Sequence, residues 1–245
     1  MPELPEVETV RRGLTPVMEG FVFDRVQLNR PDLRFLFAER FIDRIQGTTL
    51  TRLTRRAKFL QAELSSGERL FMHLGMSGRF TIDANPTADF VHEHNTNPKH
   101  DHVIFEMSSG ARVTFNDARR FGAMDLMPTS GEADHWLIRD LGPEPLGNGF
   151  DENYLIERLR GKNSPIKTAL LDQRIVSGLG NIYVCEVLYR AGIDPRRKAG
   201  NIASMEKAMV ANIIAASAMN SVRPIEGRLW VFILRETCER RQIAA

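Results

Sequence analysis

The stretch Leu60-Gln61-Ala62-Glu63-Leu64-Ser65-Ser66-Gly67-Glu68-Arg69-Leu70-Phe71-Met72-His73-Leu74 decides the fold of the first half of this chain. Apolar residues stand at Leu60, Ala62 and Leu64 and return at Leu70, Met72 and Leu74, with Ser65-Ser66-Gly67 between them. Side chains of a strand alternate between two faces, so this spacing predicts an antiparallel pair joined by a glycine-bearing turn. The pattern recurs where Phe105 and Met107 lead to Ser108-Ser109-Gly110 and return through Val113 and Phe115. Period-two alternation extends from Phe21 to about Phe80 and again from His102 to Leu126, which predicts that the first half is mainly an antiparallel β-sandwich. The polar run from Asp83 to Asp101 reads as a surface loop.

Beyond the second hairpin the pattern changes. Glycine, proline and polar residues from Glu132 to Gly149 predict a connection, and the residues after it have helical spacing. One helix is expected over Asn153 to Arg160, carrying Leu155, Ile156 and Leu159. A second should start at Ser164 and Pro165 as N-cap and first helical residue, ahead of Ile166, Ala169 and Leu170. A third should run from Asn181 to Ala191, stopped by Gly192, and a fourth from Ser204 to Met219, packed by Met205, Met209, Ile213 and Ala216. The expected organisation is residues 1–131, a connection at 132–149, an all-α unit at 150–220 and a tail at 221–245. The fold class is α+β, with a short helix before the sandwich.

Composition narrows the function. With 245 residues, 42% hydrophobic and 26% charged, the chain can fill one or two ordinary cores. The apolar run Leu229 to Leu234 is too short to cross a bilayer, and Pro2 and Glu3 stand where a signal peptide would place basic and apolar residues. Two cysteines, Cys185 and Cys238, make no disulfide framework and fit a reducing compartment. A cytoplasmic protein is expected. A net charge of +2 permits nucleic-acid binding without arguing for it.

The opening carries chemistry of its own. Removal of Met1 from Met1-Pro2-Glu3-Leu4-Pro5-Glu6 leaves a secondary amine among carboxylates, and an α-amino group has a reference pKa of about 8 against about 10.4 for lysine. Such an amine can attack a sugar carbon and form an iminium. The same residues also make a good helix start, with Val7, Val10 and Leu14 on one face, acids in the first turn and arginines in the last. Gly178-Leu179-Gly180-Asn181 allows close backbone approach ahead of a helix that Asn181 would cap, leaving amides for a phosphate, or it is simply a turn and a cap. Lys58, beside Arg55 and Arg56, reads alone as a solvated basic edge, and Met76 and Phe121 alone read as core. His92, His94, His100 and His102 include two His-x-His spacings of the kind that can bind a metal, although no metal ligand is assigned.

The run from Pro2 to Leu14 closely resembles the start of the formamidopyrimidine-DNA glycosylase family, and Ser164 to Pro195 resembles that family's helix-two-turn-helix DNA-binding element. The resemblance implies a bifunctional glycosylase and abasic-site lyase acting on double-stranded DNA with oxidised purines or abasic sites, as a monomer. It implies Pro2 as nucleophile, Glu3 as proton shuttle and Lys58 as a DNA contact that helps proton transfer. Lys167 and Asn181 match the residues that hold the DNA backbone, with Lys162 a weaker match, and Glu6, His73 and His100 join the DNA-binding set. An enzyme acting on a flipped base must fill the hole left in the stack. The resemblance gives that task to Met76, Arg119 and Phe121, two apolar wedges and a fork of donors for the widowed base.

The ending departs from the pattern. Family members usually finish with a hairpin held by four cysteines on zinc, or a zinc-free equivalent, whereas the segment from Pro224 to Arg241 has one cysteine and no Cys-x-x-Cys. No cofactor is therefore expected, and the resemblance is expected to end near Met219. A truncated or frame-shifted terminus is the expectation. Two other readings stay open: a noncatalytic relic that holds damaged duplex, and an RNA-binding structural protein.

Overall fold

The computed structural model describes residues 2–83 and 97–222. Helix α1 (Leu4–Met18) precedes two four-stranded antiparallel sheets. The strands are β1 (Phe23–Leu28), β2 (Leu50–Arg56), β3 (Phe59–Leu64), β4 (Glu68–His73), β5 (Arg79–Asp83), β6 (Asp101–Met107), β7 (Arg112–Asn116) and β8 (Ala123–Pro128), and a short helix α2 (Phe41–Ile45) follows β1. One sheet has the order β1-β6-β7-β5 and the other β2-β3-β4-β8. Both hairpins read from the sequence form in the expected register, with Leu60 opposite Met72, Ala62 opposite Leu70 and Phe105 opposite Val113. Gly67 and Gly110 sit at φ of 79° and 83°, the left-handed region that these turns require.

Two expectations for the first half are corrected. The alternation does not run unbroken from Phe21 to Phe80, because residues 29–49 leave the sheet. Arg40 turns the chain at φ 53° into α2, which buries Phe41 and Ile45 one helical turn apart. Helix α1 also extends to Met18, so Arg11 and Arg12 lie within it and bond Glu8 instead of capping its last turn. Its buried face is Leu4, Val7, Leu14 and Met18, of which Val7, Leu14 and Met18 belong to the sandwich core.

The second core belongs to α3 (Glu152–Leu159), α4 (Ile166–Leu171), α5 (Asn181–Arg190) and α6 (Ser204–Val222). Pro165, not Ser164, occupies the cap of α4, and the amide of Ile166 donates to Arg197 O at 2.8 Å. Gly192 follows α5 at φ 65°, as expected of a helix stop. Helix α6 is rotated from the expected face. Met205 and Met209 are 85% and 41% exposed, while Val210, Ile214 and Ala218, spaced by four, are buried. One-dimensional spacing fits either stripe, and packing against the other helices selects the one with branched side chains.

The connection covers part of the sandwich. Phe71 is fully buried because His135 stacks on it at 4.2 Å, so β4 is covered on both faces. The Gly142 amide donates to Gln173 O, Ser177 N donates to Pro143 O, and the two domains are joined through this segment.

Candidate functional site

The chain start is fastened between the domains by one acid. Glu3 is 1% exposed, and its carboxylate accepts the amides of Gly180 and Ile182 at 2.8 Å and of Tyr183 at 3.3 Å, all at the start of α5. The Leu4 amide donates to Gly178 O at 3.1 Å, and Glu6 accepts the Glu3 amide at 3.0 Å. A helix start presents unpaired amides and a partial positive charge, so it favours an anion. Here the anion is internal. The expectation that these amides await a phosphate is corrected accordingly, as is the cap: Gly180 holds that position, and Asn181 is the first helical residue with an exposed side chain.

Both glycines before α5 are explained by this arrangement. A Cβ at Gly180 would stand 2.5 Å from Glu3 Cδ, and Gly178, at φ 93°, would meet Leu4 Cδ1 at 2.7 Å. Burial raises the pKa of Glu3, and the backbone amides and Lys58 pull it down without cancelling the rise. The group is thereby poised to take up a proton.

Lys58 faces the same acid. It stands in the turn between β2 and β3, only 5% exposed, so the solvated-edge reading is wrong. Burial lowers its pKa, and the charges of Glu3 and Glu6 oppose that fall. The turn itself is held from the connection. Ala57 adopts φ 52°, its amide donates to Glu144 at 2.6 Å, and the same carboxylate accepts Arg55 at 2.9 Å. Arg56 donates to Gly142 O at 2.8 Å and to Ser177 at 3.2 Å. Glu144 and Gln173, which accepts the Gly178 amide at 3.0 Å, escaped the sequence reading. Their only local signal is a polar residue within a Gly-Pro-rich or apolar segment.

His73 closes this group at the end of β4. Its ring packs on Phe59 at 4.8 Å, and its Nδ1 accepts the Gly75 amide at 3.0 Å, which leaves the proton on Nε2. Burial, then the neighbouring charges of Lys58 and Arg34, lower its pKa to about 4, so the ring is a neutral donor near pH 7. Lys58, Phe59, His73, Leu137, Leu171 and Gly180 line a cleft of about 390 Å³ between the domains.

A second cluster lies on the connections after β4 and β7. Met76 and Phe121 are 43% and 42% exposed, which overturns their reading as core, and the Arg119 guanidinium sits 4.8 Å over the Phe121 ring. Gly75, at φ 63°, lets the two connections touch, since a Cβ there would fall 2.3 Å from the Phe121 carbonyl carbon. His100 and His102 separate: His100 is partly exposed, while His102 is buried with Nε2 2.9 Å from Asp117 O. His92 and His94 lie outside the described residues, among which no three His, Cys, Asp or Glu residues converge on a metal position. Lys162 and Lys167 are partly exposed on the helical domain, and no bond joins them to Glu3 or Lys58. The tail from 223 to 245 also lies outside the described residues. With Cys238 alone there, the donor set does not fit a four-thiolate zinc site.

Fold and site define a class: a two-domain protein that buries an acid next to the chain start and a lysine facing it where the β-sandwich meets the helical domain. The formamidopyrimidine-DNA glycosylase N-terminal domain matches residues 1–124, and the H2TH domain of the same enzymes matches residues 141–226, which carries the likeness past Met219. The chain is 54% identical over 242 residues to the formamidopyrimidine-DNA glycosylase of Ruegeria pomeroyi, covering 95% of this chain and 86% of that protein. With the enzyme of a Jannaschia species it shares 59% over 214 residues, 87% and 76% of the two chains. The crystal structure of the Lactococcus lactis enzyme bound to DNA with an abasic site superposes with a TM-score of 0.79 at 32% identity, covering 90% of this chain and 81% of that one. The same enzyme in complex with DNA containing N7-benzyl-Fapy-dG matches at 0.79 and 32%, covering 90% and 79%. The chain belongs to the formamidopyrimidine-DNA glycosylase family.

Proposed function

We propose that this protein is a bifunctional DNA glycosylase and abasic-site lyase of base excision repair, acting as a monomer in the cytoplasm on duplex DNA with oxidised purines. The observation that carries the reading is the Glu3 clamp, which fixes the chain start against α5 beside Lys58. The secondary amine of Pro2 attacks the sugar C1′ and the base departs with a proton; the amine then loses its own proton, and the C1′–O4′ bond opens with O4′ protonated, which leaves an iminium at C1′. The resulting iminium acidifies the C2′ hydrogen, and loss of that proton expels the 3′ phosphate by elimination. Glu3, with its pKa raised by burial, serves as the proton shuttle. Lys58 and the neutral His73 offer donors to the DNA backbone at the cleft, as Lys162, Lys167 and Asn181 do on the helical domain, with His100 beside the sandwich. No redox cofactor or metal enters these steps.

Borohydride reduction in the presence of abasic duplex tests the reading. The chain is expected to form a covalent adduct and the Pro2→Gly variant to form far less. Binding to lesion duplex with no adduct and no strand cleavage would instead leave only a DNA-holding protein.

A further inference from the structure

The two connections that carry Met76 and Arg119–Phe121 share one buried acceptor. Asp117 is wholly buried, directly after β7, and its carboxylate reaches both connections. Oδ2 accepts the Gly122 amide at 2.8 Å, while Oδ1 accepts the Ser77 hydroxyl at 2.5 Å and the Arg119 amide at 3.3 Å. Ser77 Oγ also accepts the Arg119 amide, at 3.1 Å. The main chain of Asp117 is tied to the sheet. Its amide donates to His100 O at 3.0 Å, and its carbonyl accepts from His102 Nε2 at 2.9 Å, which puts the ring proton on that nitrogen. The path therefore runs from β6 through Asp117 to the segments on either side of the exposed inserts.

We propose that Asp117 is a positioning residue that makes the Met76 and Arg119–Phe121 connections a single wedge, and so sets the selectivity for the base opposite the lesion. The inference rests on the function proposed above. Met76 and Phe121 are too exposed for a core to hold them, so their aim is set by the backbone that carries them. Arg119 offers donors, and a widowed cytosine presents acceptors at its pairing edge, so recognition requires Arg119 in register with the two apolar inserts. Ser77 and Gly122 lie next to Met76 and Phe121 in sequence, and Asp117 bonds both. Asparagine has nearly the same shape as aspartate but turns one acceptor into a donor. If its oxygen keeps the Gly122 amide, its NH2 faces Ser77 and the Arg119 amide, so the hydroxyl must accept instead of donate and the Arg119 amide loses its carboxylate acceptor.

The test measures borohydride trapping rates on two duplexes that differ only opposite the abasic site: one carries cytosine there, the other a tetrahydrofuran residue with no base. Their ratio isolates recognition of the widowed base from chemistry and from general stability. Asp117→Asn is expected to lower this ratio by about tenfold, the size of effect produced by one or two bonds left unmade at a buried site. Ser77→Ala, which removes the hydroxyl's bonds to Asp117 and to the Arg119 amide but leaves the tie to Gly122, should lower it by about threefold. A melting curve accompanies each variant, and Ser77→Ala decides the matter if Asp117→Asn does not fold. Equal loss on both duplexes, with the ratio unchanged, overturns the proposal and leaves Asp117 a fold residue. No adduct from the unaltered chain on either duplex overturns the proposed function instead.

Discussion

Gly180→Ala should separate the Glu3 clamp from every other feature of the interface. Gly180 has φ −132° and ψ −165°, which alanine adopts without strain, so the substitution acts only through its new methyl group. That group would lie 2.5 Å from Glu3 Cδ and 2.6 Å from Oε1, contacts that force the carboxylate to move. Glu3 is buried on all sides, and moving it stretches the three bonds to Gly180, Ile182 and Tyr183. Bonds to a charged acceptor contribute roughly 1.5–3 kcal/mol each, so losing the better part of two costs about 3 kcal/mol. For a chain of this size that is a fall in melting temperature of about 6–12 °C. The chemistry should suffer more, since a shift of about 1 Å in a reacting group can cost about a hundredfold in rate. Single-turnover trapping on abasic duplex and a thermal melt measure the two effects together. Gly13→Ala is the control: a Cβ there meets nothing within 4 Å, and inside α1 it should stabilise by about 0.5–1 kcal/mol with trapping unchanged. A Gly180→Ala protein that melts and traps like the unaltered chain would refute the clamp.

The same geometry sets two further outcomes. His73 has a pKa of about 4 in the folded state against the ordinary 6.5, so the unfolded chain takes up its proton first and folding weakens as pH falls from 6.5 toward 4. The loss is at most about 3 kcal/mol, and denaturant melts of His73→Gln across that window should show a flatter pH dependence than the unaltered protein. Glu144→Gln keeps at most one of the acceptors that hold Ala57 and Arg55, so the Lys58 turn should loosen. A fall of about 2 kcal/mol in unfolding free energy at constant denaturant slope is expected, with slower trapping.

The sequence alone settled what is periodic or chemically singular. Both β-hairpins, the helical second half and the paired glycines before α5 are local patterns, each governed by backbone sterics within a few residues. The likeness of Pro2 to Leu14 and of Ser164 to Pro195 pointed to the family, and the family match singled out Glu3, Lys58 and Asn181 as residues to watch. What the sequence could not say is which polar groups face each other. Glu3 meets the amides of Gly180, Ile182 and Tyr183 across nearly the whole described chain, and that contact, not spacing, decides that the start of α5 is filled from within.

The same holds for burial. Lys58 and Asp117 are charged-type residues in polar surroundings of sequence, and Met76 and Phe121 are apolar ones, yet the first pair is inside and the second pair exposed. Helix α6 shows the limit most simply, because its apolar residues fit more than one stripe and only its neighbours choose between them. Periodicity fixes an element and its two faces, whereas desolvation is set by whatever packs on top. That covering comes from segments distant in sequence, and only the folded chain brings it into place.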